Sequence, residues 1–454
     1  MATFGHVRLP DTRLKVRLVD VAIAWASRPH DTIPQACGKW GRTKGTYRFL
    51  ENPRVACDDL IASAGEGAAK MSQGLTTVLA VQDTSTISYN HLTGTKGLGP
   101  TNDHKTSLGM LLHSTLALRL DGRPIGLLHQ KIWCRKEEER GSAKKRREWP
   151  IEKKESFKWL DGILRARERL KAHVPEVRRP RLIHIMDREG DIHEVLQTVA
   201  ESSDGLIVRF DRNRRIDDPC EYARPAIHAA PLLGTASIEV PRTHEKPARK
   251  ALVEVRSRPL DISPDLRRDA RRRPVTMTLV EIWEVAPPEG EEPLQWLLWT
   301  TEPAATLEEA LAVAKLYSKR WRIEDLHLVL KSGCAVEKLQ LETADRLAKA
   351  VVLYSSIAAR IVQLRDWARE APETPCTEVL QQGEWCALWT AIHKQPPAPG
   401  QVPPTIREAV LWIGRLGGHL NRKGDGMPGV RTLWRGWRDL MMLTDLYVVL
   451  RPVQ

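Results

Sequence analysis

The chain has 454 residues, enough for two or three domains, each with a core of its own. Lys and Arg number 70 against 57 Asp and Glu, and the formal charge of +13 favours a polyanionic partner, against the plainer reading of a basic protein that binds nothing in particular. Seven cysteines without a C-x-x-C pair argue against a disulfide framework or a zinc site, and no run of about 18 apolar residues suggests a membrane span. The expected compartment is a reducing cytoplasm, with no membrane partner.

Short helices are expected from Asp11 to about Leu60, with Leu14 to Trp25 apolar at helical spacing and Pro29, Pro34, Gly38 and Gly41 as punctuation. The period then changes. Thr76 to Val81 is a β-branched run ending at Asp83, and Leu108–Leu118 and Ile125–Cys134 are further strands joined through Asp121, Gly122 and Arg123. A helix from Ser156 to Ala172, a buried strand Arg181–Met186 closing on Asp187, a helix Asp191–Ala200 and a strand Leu206–Arg209 follow. Three strands, helix, strand, helix, strand is an α/β order, and it matches the ribonuclease-H-like one. Strand signals continue at Ala236–Val240, Ala251–Val255, Val275–Val285 and Leu294–Thr300, which predicts a β-rich insertion at about 210–300. One long helix is expected over Leu307–Leu330 and another over Asp345–Ala368. The tail is helical, broken by Gln395–Pro404 and by the Gly-rich turn Lys423–Gly429. The densest basic runs, Arg135–Lys154 and Arg267–Arg273, read as loops.

Asp83 and Asp187 each end a predicted buried strand, where an open α/β sheet presents reactive groups. Either one alone is more readily read as a turn or helix-capping Asp. Glu189 and Asp191 compete with Asp187; Asp191 stands where a helix N-cap belongs and Asp187 extends the strand, which favours Asp187. Tyr317, Arg320, Glu324 and Lys331 lie on one predicted helix, and at about 100° per residue they fall within an arc of about 60°. An ordinary amphipathic helix also has a polar face. Three carboxylates from separate elements suit two hard cations roughly 3.5–4 Å apart, with neighbouring cations placed for phosphates. In the run Leu294–Trp299, strand alternation puts Trp296 with Leu298 and Trp299 with Leu297, so at least one large ring should leave the core.

These residues carry a resemblance. Over nearly its whole length the chain resembles the bacterial insertion-sequence DDE transposases of the YREK-signature group (IS-four family, Tn-five-like). The signature Tyr-x2-Arg-x3-Glu-x6-Lys stands as Tyr317, Arg320, Glu324 and Lys331. Further matching blocks are Val81-Gln82-Asp83-Thr84 with Ser88 and Tyr89, Gly126-Leu127-Leu128-His129-Gln130, Lys154-Glu155-Ser156 with Lys158-Trp159-Leu160, Asp187-Arg188-Glu189 with Asp191-Ile192-His193, Arg346-Leu347, and Gly414-Arg415-Leu416-Gly417-Gly418.

The resemblance implies an α/β, ribonuclease-H-like catalytic core with a β-rich insertion, flanked by helical domains: residues 1–64 for DNA binding, 65–371 for catalysis and 372–454 for dimerisation. It implies Asp83, Asp187 and Glu324 as ligands of two Mg2+ ions, with Mn2+ able to substitute. It also implies cut-and-paste transposition by a homodimer on transposon ends and target DNA, through a hairpin intermediate. Arg17, Tyr47, Arg48, Arg209, Trp296, Tyr317, Arg320, Trp321 and Lys331 are the implied DNA contacts, with Trp296 receiving or supporting a flipped base. The chain starts inside the family's first helix, so part of the end-recognition surface is expected to be missing. A ribonuclease-H-like nuclease and a catalytically silent DNA-binding transposition inhibitor remain alternative readings.

Overall fold

The computed structural model describes residues 7, 9–102, 107–136, 149–240, 249–266, 269, 271–422 and 424–450. Four helices open the chain: α1 (Thr12–Ser27), α2 (Ile33–Cys37), α3 (Trp40–Glu51) and α4 (Cys57–Met71). Asp11 caps α1 by accepting the Arg13 amide at 2.8 Å, a donor the helix itself leaves unmatched. β1 (Thr77–Ser88), β2 (Gly99–Pro100), β3 (Leu108–Leu118) and β4 (Pro124–Trp133) follow. Then come α5 (Phe157–His173), β5 (Arg181–Met186), α6 (His193–Ala200) and β6 (Gly205–Arg209). β3 pairs antiparallel with β1 and β4, whereas β5 runs parallel to β1, and β6 runs parallel to β5. The spatial order β4-β3-β1-β5-β6, with only the second strand in sequence reversed, is the ribonuclease-H-like arrangement expected from the sequence.

The predicted insertion does not form a sheet of its own. After α7 (Ala223–His228), the strands β7 (Leu232–Val240), β8 (Arg249–Ile262), β9 (Val275–Glu284) and β10 (Gln295–Thr300) form an antiparallel series. β10 pairs antiparallel with β6, so the series extends the core into one ten-stranded sheet. The outer edge of β6 would otherwise present unpaired backbone groups, and β10 satisfies them.

The helix expected over Leu307–Leu330 is segmented. α8 (Leu307–Ser318), started by a Thr306–Glu309 capping box, gives way at Lys319 and Arg320 to i→i+3 bonding, with Arg320 N–H donating to Tyr317 O at 2.9 Å. α9 (Trp321–Leu328) follows and ends in a π-turn, Val329–Gly333, where the Cys334 amide reaches the Val329 carbonyl at 2.8 Å. Lys331 lies in that turn and so leaves the regular spacing that placed it in the arc of Tyr317, Arg320 and Glu324. The Trp434 ring lies against Gly333, where a Cβ would stand 2.8 Å from Cε3.

α10 (Ala344–Glu370) is the central helix. By length and composition it could cross a membrane, but 78% of its most apolar window is buried in the protein. α11 (Gln382–His393), α12 (Ile406–Leu416) and α13 (Val430–Leu450) complete the chain. Trp25 of α1 stacks on Tyr354 of α10 with centroids 4.6 Å apart, Lys349 donates to Leu50 O at 3.0 Å, and Trp437 of α13 donates to Ala26 O at 3.1 Å. One apolar cluster therefore runs from Leu18 through the sheet face and α10 to Leu440. Separate cores were expected. The N-terminal helices are too short to bury one alone and share that of α10. α4 spans the expected 64/65 boundary and packs on β4, where Ala68 lies against Gly126.

Within the Arg135–Lys154 run, residues 137–148 lie outside the described residues, as do 267, 268 and 270 of the second basic run and 423 of the Gly-rich turn. Arg271 and Arg272, which are described, pair with Glu152 and Glu194 at 2.8 and 2.7 Å.

Candidate active site

Strand alternation sets the site. Val78 and Ala80 of β1 face the core under α5, whereas Leu79 and Val81 face the core that contains α8, α9 and α10. Asp83 continues the second series, and on β5 so does Asp187 after Ile183 and Ile185. The parallel ladder runs from Thr77↔Arg181 to Val81↔Ile185, and the same register carried two residues further sets Asp83 opposite Asp187. The two strands part beyond Val81, and the aspartates stand where the sheet opens. Asp83 is not at a strand end as expected: β1 continues to Ser88, held by β3 with Asp83 opposite Ser114. The residues after Asp83, with β-branched Thr84, Thr86 and Ile87, suit a strand, and pairing with β3 keeps them extended.

α9 packs across β1 on this face and brings Glu324 within charge–charge reach of Asp83. Burial raises the Asp187 carboxyl to about 6, and the charges of Asp83 and Glu189 add to this, against the Glu189 amide bond at 2.9 Å and the nearby Arg320. Burial also raises Glu324; Arg320 opposes and Asp83 reinforces that shift. Arg320 Nη2 donates to Glu324 Oε1 at 2.6 Å. As they stand, no three His, Cys, Asp or Glu side chains among the described residues converge closely enough to hold a metal ion. The donor set nevertheless fits hard divalent cations: three carboxylates from three elements, two of them raised first by burial and further by Asp83, with Arg320 as the opposing charge.

The competing acids in the Asp187 run are otherwise engaged. Glu189 is exposed and bonded to Lys158 Nζ at 2.9 Å. Asp191 is buried, accepts from the Asp211 and Arg212 amides and pairs with Arg214. It is not the expected N-cap of α6, which is Ile192; instead it ties down the loop after β6. Asp187 itself caps the short turn Arg188–Gly190, so its position serves the local backbone too.

Sequence reasoning missed His327, buried and one turn beyond Glu324, with Nδ1 3.6 Å from Asp83 Oδ2 and Nε2 3.4 Å from Ser114 Oγ. Gln130 donates to the same Ser114 at 3.1 Å. The signal was the Glu-x-x-His spacing, which places both residues on one helical face.

The remaining expected contacts fall into two groups. Around the site, Tyr317 and Arg320 are buried, and Trp296 meets Tyr317 edge-on with centroids 5.7 Å apart. Arg209 lies beside Tyr317 and is lowered by burial, with Tyr317 opposing. Trp321 is 53% exposed and has the Arg320 guanidinium 5.0 Å from its ring. As the alternation requires, Trp299 is fully buried with Leu297 while Trp296 is only partly buried on the Leu298 side. In the N-terminal helices, Arg17 lies over Gly45 of α3, Arg48 is exposed, and Tyr47 packs partly into the core.

A ribonuclease-H-like sheet with carboxylates gathered where its two central strands part belongs to the class of enzymes that cut and join phosphodiesters. Three family profiles match the chain: transposase DNA-binding over residues 1–55, transposase DDE domain over 233–359, and transposase Tn5 dimerisation domain over 356–448. The DDE match includes Glu324 and does not reach Asp83 or Asp187. Among solved structures, a piggyBac transposase synaptic complex with hairpin DNA is similar at 9% identity and a TM-score of 0.38, covering 80% of this chain and 68% of that one. The chain belongs to the Tn5-like DDE transposases, metal-dependent enzymes of DNA cleavage and strand transfer, and carries the family's DNA-binding and dimerisation domains.

Proposed function

We propose that this transposase moves its element by cut and paste, with Asp83, Asp187 and Glu324 as the ligands of two Mg2+ ions and Mn2+ able to substitute. The observation that carries this reading is that Asp187 and Glu324 each lie within charge–charge reach of Asp83 on one side of the sheet, with Asp187 raised by burial and by Asp83. Bound there, the two ions would supply the Lewis acidity that activates water or a 3′-OH and offsets charge on the departing oxygen. His327 positions Asp83, and Ser114 with Gln130 positions His327. Arg209, Tyr317, Arg320, Trp321 and Lys331 hold the DNA end, and Trp296 stacks a base that leaves the helix.

In the order proposed, water nicks one strand at the transposon end, the freed 3′-OH attacks the opposite strand to form a hairpin, a second water opens it, and the 3′-OH attacks target DNA. Residues 1–64 recognise the ends through Arg17, Tyr47 and Arg48, residues 65–371 carry the chemistry, and residues 372–454 pair two subunits across the two ends, in the cytoplasm at the nucleoid.

The test is cleavage of DNA flanking this reading frame in Mg2+. Asp83→Ala, Asp187→Ala and Glu324→Ala are each expected to abolish nicking while leaving end binding nearly intact, since the basic contacts persist. Glu189→Ala should damage activity less than Asp187→Ala. Retained nicking in any of the three removes that residue from the site.

A further inference from the structure

Arg320 is the cation that acts on all three carboxylates. It is bonded to Glu324 at 2.6 Å and within charge–charge reach of Asp83 and Asp187. Its own surroundings are incomplete. The side chain is 10% exposed, its Nε–H has no acceptor, and the rings of Trp321 and Tyr317 flank it at 5.0 and 6.0 Å. A guanidinium is a planar fork of five donors matched to carboxylate or phosphate, and a buried donor without a partner is costly. The group is thus held by one acid while lacking an acceptor that a second oxyanion would provide. Glu324, half-exposed, has one carboxylate oxygen engaged by that guanidinium, and no three acids among the described residues converge on a metal ion.

We propose that Arg320 is a latch. In the DNA-free protein it occupies Glu324 and keeps the three carboxylates from converging on divalent ions; a DNA phosphate that takes the guanidinium releases Glu324, so DNA and metal bind with positive coupling. This rests on the reading of Asp83, Asp187 and Glu324 as the ligand set. Its consequence is that the free enzyme carries little bound metal and loads it on the DNA, and by linkage metal strengthens DNA binding by the same factor. The phosphate is the natural partner because its oxygens match the fork that Glu324 now engages from one side.

The experiment is Mn2+ binding to the full-length protein, followed as loss of the free-ion electron paramagnetic resonance signal, with and without a short duplex of the DNA flanking this reading frame. Wild type is expected to bind Mn2+ about tenfold or more tightly with the duplex than without it, a coupling of typical size for linked sites. Arg320→Gln should bind Mn2+ more tightly than wild type without DNA and gain little when the duplex is added. Arg209→Gln removes an equal charge nearby without freeing Glu324, and its DNA-free affinity should rise far less. Equal wild-type affinity with and without the duplex, or an Arg320→Gln affinity no higher than that of Arg209→Gln, overturns the latch while leaving the ligand set standing. If Asp83→Asn and Glu324→Gln bind Mn2+ as wild type does in both conditions, the ligand set itself is wrong and the latch falls with it. Circular dichroism checks each variant, and if Arg320→Gln does not fold the wild-type comparison decides alone.

Discussion

The Asp187 carboxyl, raised to about 6 by burial with Asp83 and Glu189 adding to it, keeps its proton in the folded protein at a pH where the unfolded chain has released it. A raised folded value contributes stability that is complete below the unfolded value of about 4 and is lost as pH rises through about 6. Without metal and DNA, Asp187→Asn is therefore expected to melt higher than wild type at pH 8 and by about half as much at pH 5, where the loss is partway through its window. Thermal melts at the two pH values check this, and a gain that is equal at both would mean that charge is not the cause. Trp296 bears on the chemistry differently. Its ring is partly buried, edge-on to Tyr317, and so sits at the margin of the core. An aromatic surface offsets part of the cost of unstacking a base, roughly 1–3 kcal/mol. Trp296→Ala should leave the first nick almost unaffected and slow hairpin formation by about tenfold, since ~1.4 kcal/mol is a factor of ten. Time courses on a labelled end separate the steps, and a parallel fall in both would make the ring a packing residue.

Among the elements, the segment from α8 to the π-turn shows most clearly how packing overrides periodicity. Composition over Leu307–Leu330 is helical throughout, and local sequence contains no proline or glycine to break it. The tightening at Lys319–Arg320 and the widening at Val329–Gly333 keep Tyr317 and Ile323 in the core and seat Gly333 under Trp434. Glu324 was legible from its motif because it lies between these two irregularities; the position of Lys331 was not, because it lies within the second. The α12–α13 pair makes a different demand. A Cβ on Gly436 would collide with the Ile413 carbonyl oxygen, and one on Gly417 with that of Thr432, so the two helices cross backbone to backbone. Gly436→Ala must push them apart, and overpacking of this kind costs about 1–3 kcal/mol. Since both helices lie in the dimerisation domain, the variant should melt lower and sediment with a larger monomer fraction at the same concentration. Unchanged melting would show that the crossing relaxes freely.

For the whole molecule, one apolar cluster joins the N-terminal helices, the central helix and the C-terminal helices, so the DNA-binding segment is anchored to the core. Arg17 over Gly45 and exposed Arg48 then offer cations from a fixed frame. Each phosphate neutralised adds about −0.9 to the log–log dependence of affinity on salt. Arg48→Ala, if Arg48 meets the backbone, should make that slope shallower by about one unit, read by fluorescence anisotropy over a salt series. An unchanged slope with lower affinity would instead assign Arg48 to a base edge.

What the sequence determined by itself was whatever depends on neighbours along the chain: the strand–helix order of the core, the alternation that separates Trp296 from Trp299, and the acids in their motifs. These follow from periodicity and local composition, which tertiary contacts did not have to supply. Only the tertiary structure decided that Asp83 stands inside a strand, because β3 supplies the pairing that extends β1 to Ser88. It alone joined the insertion to the core sheet through β6 and β10, and gave the flanking helices one shared core. It also set His327 beside Asp83 and brought Arg320 within charge–charge reach of Asp83 and Asp187, since charges brought together from distant parts of the chain answer to burial and to each other.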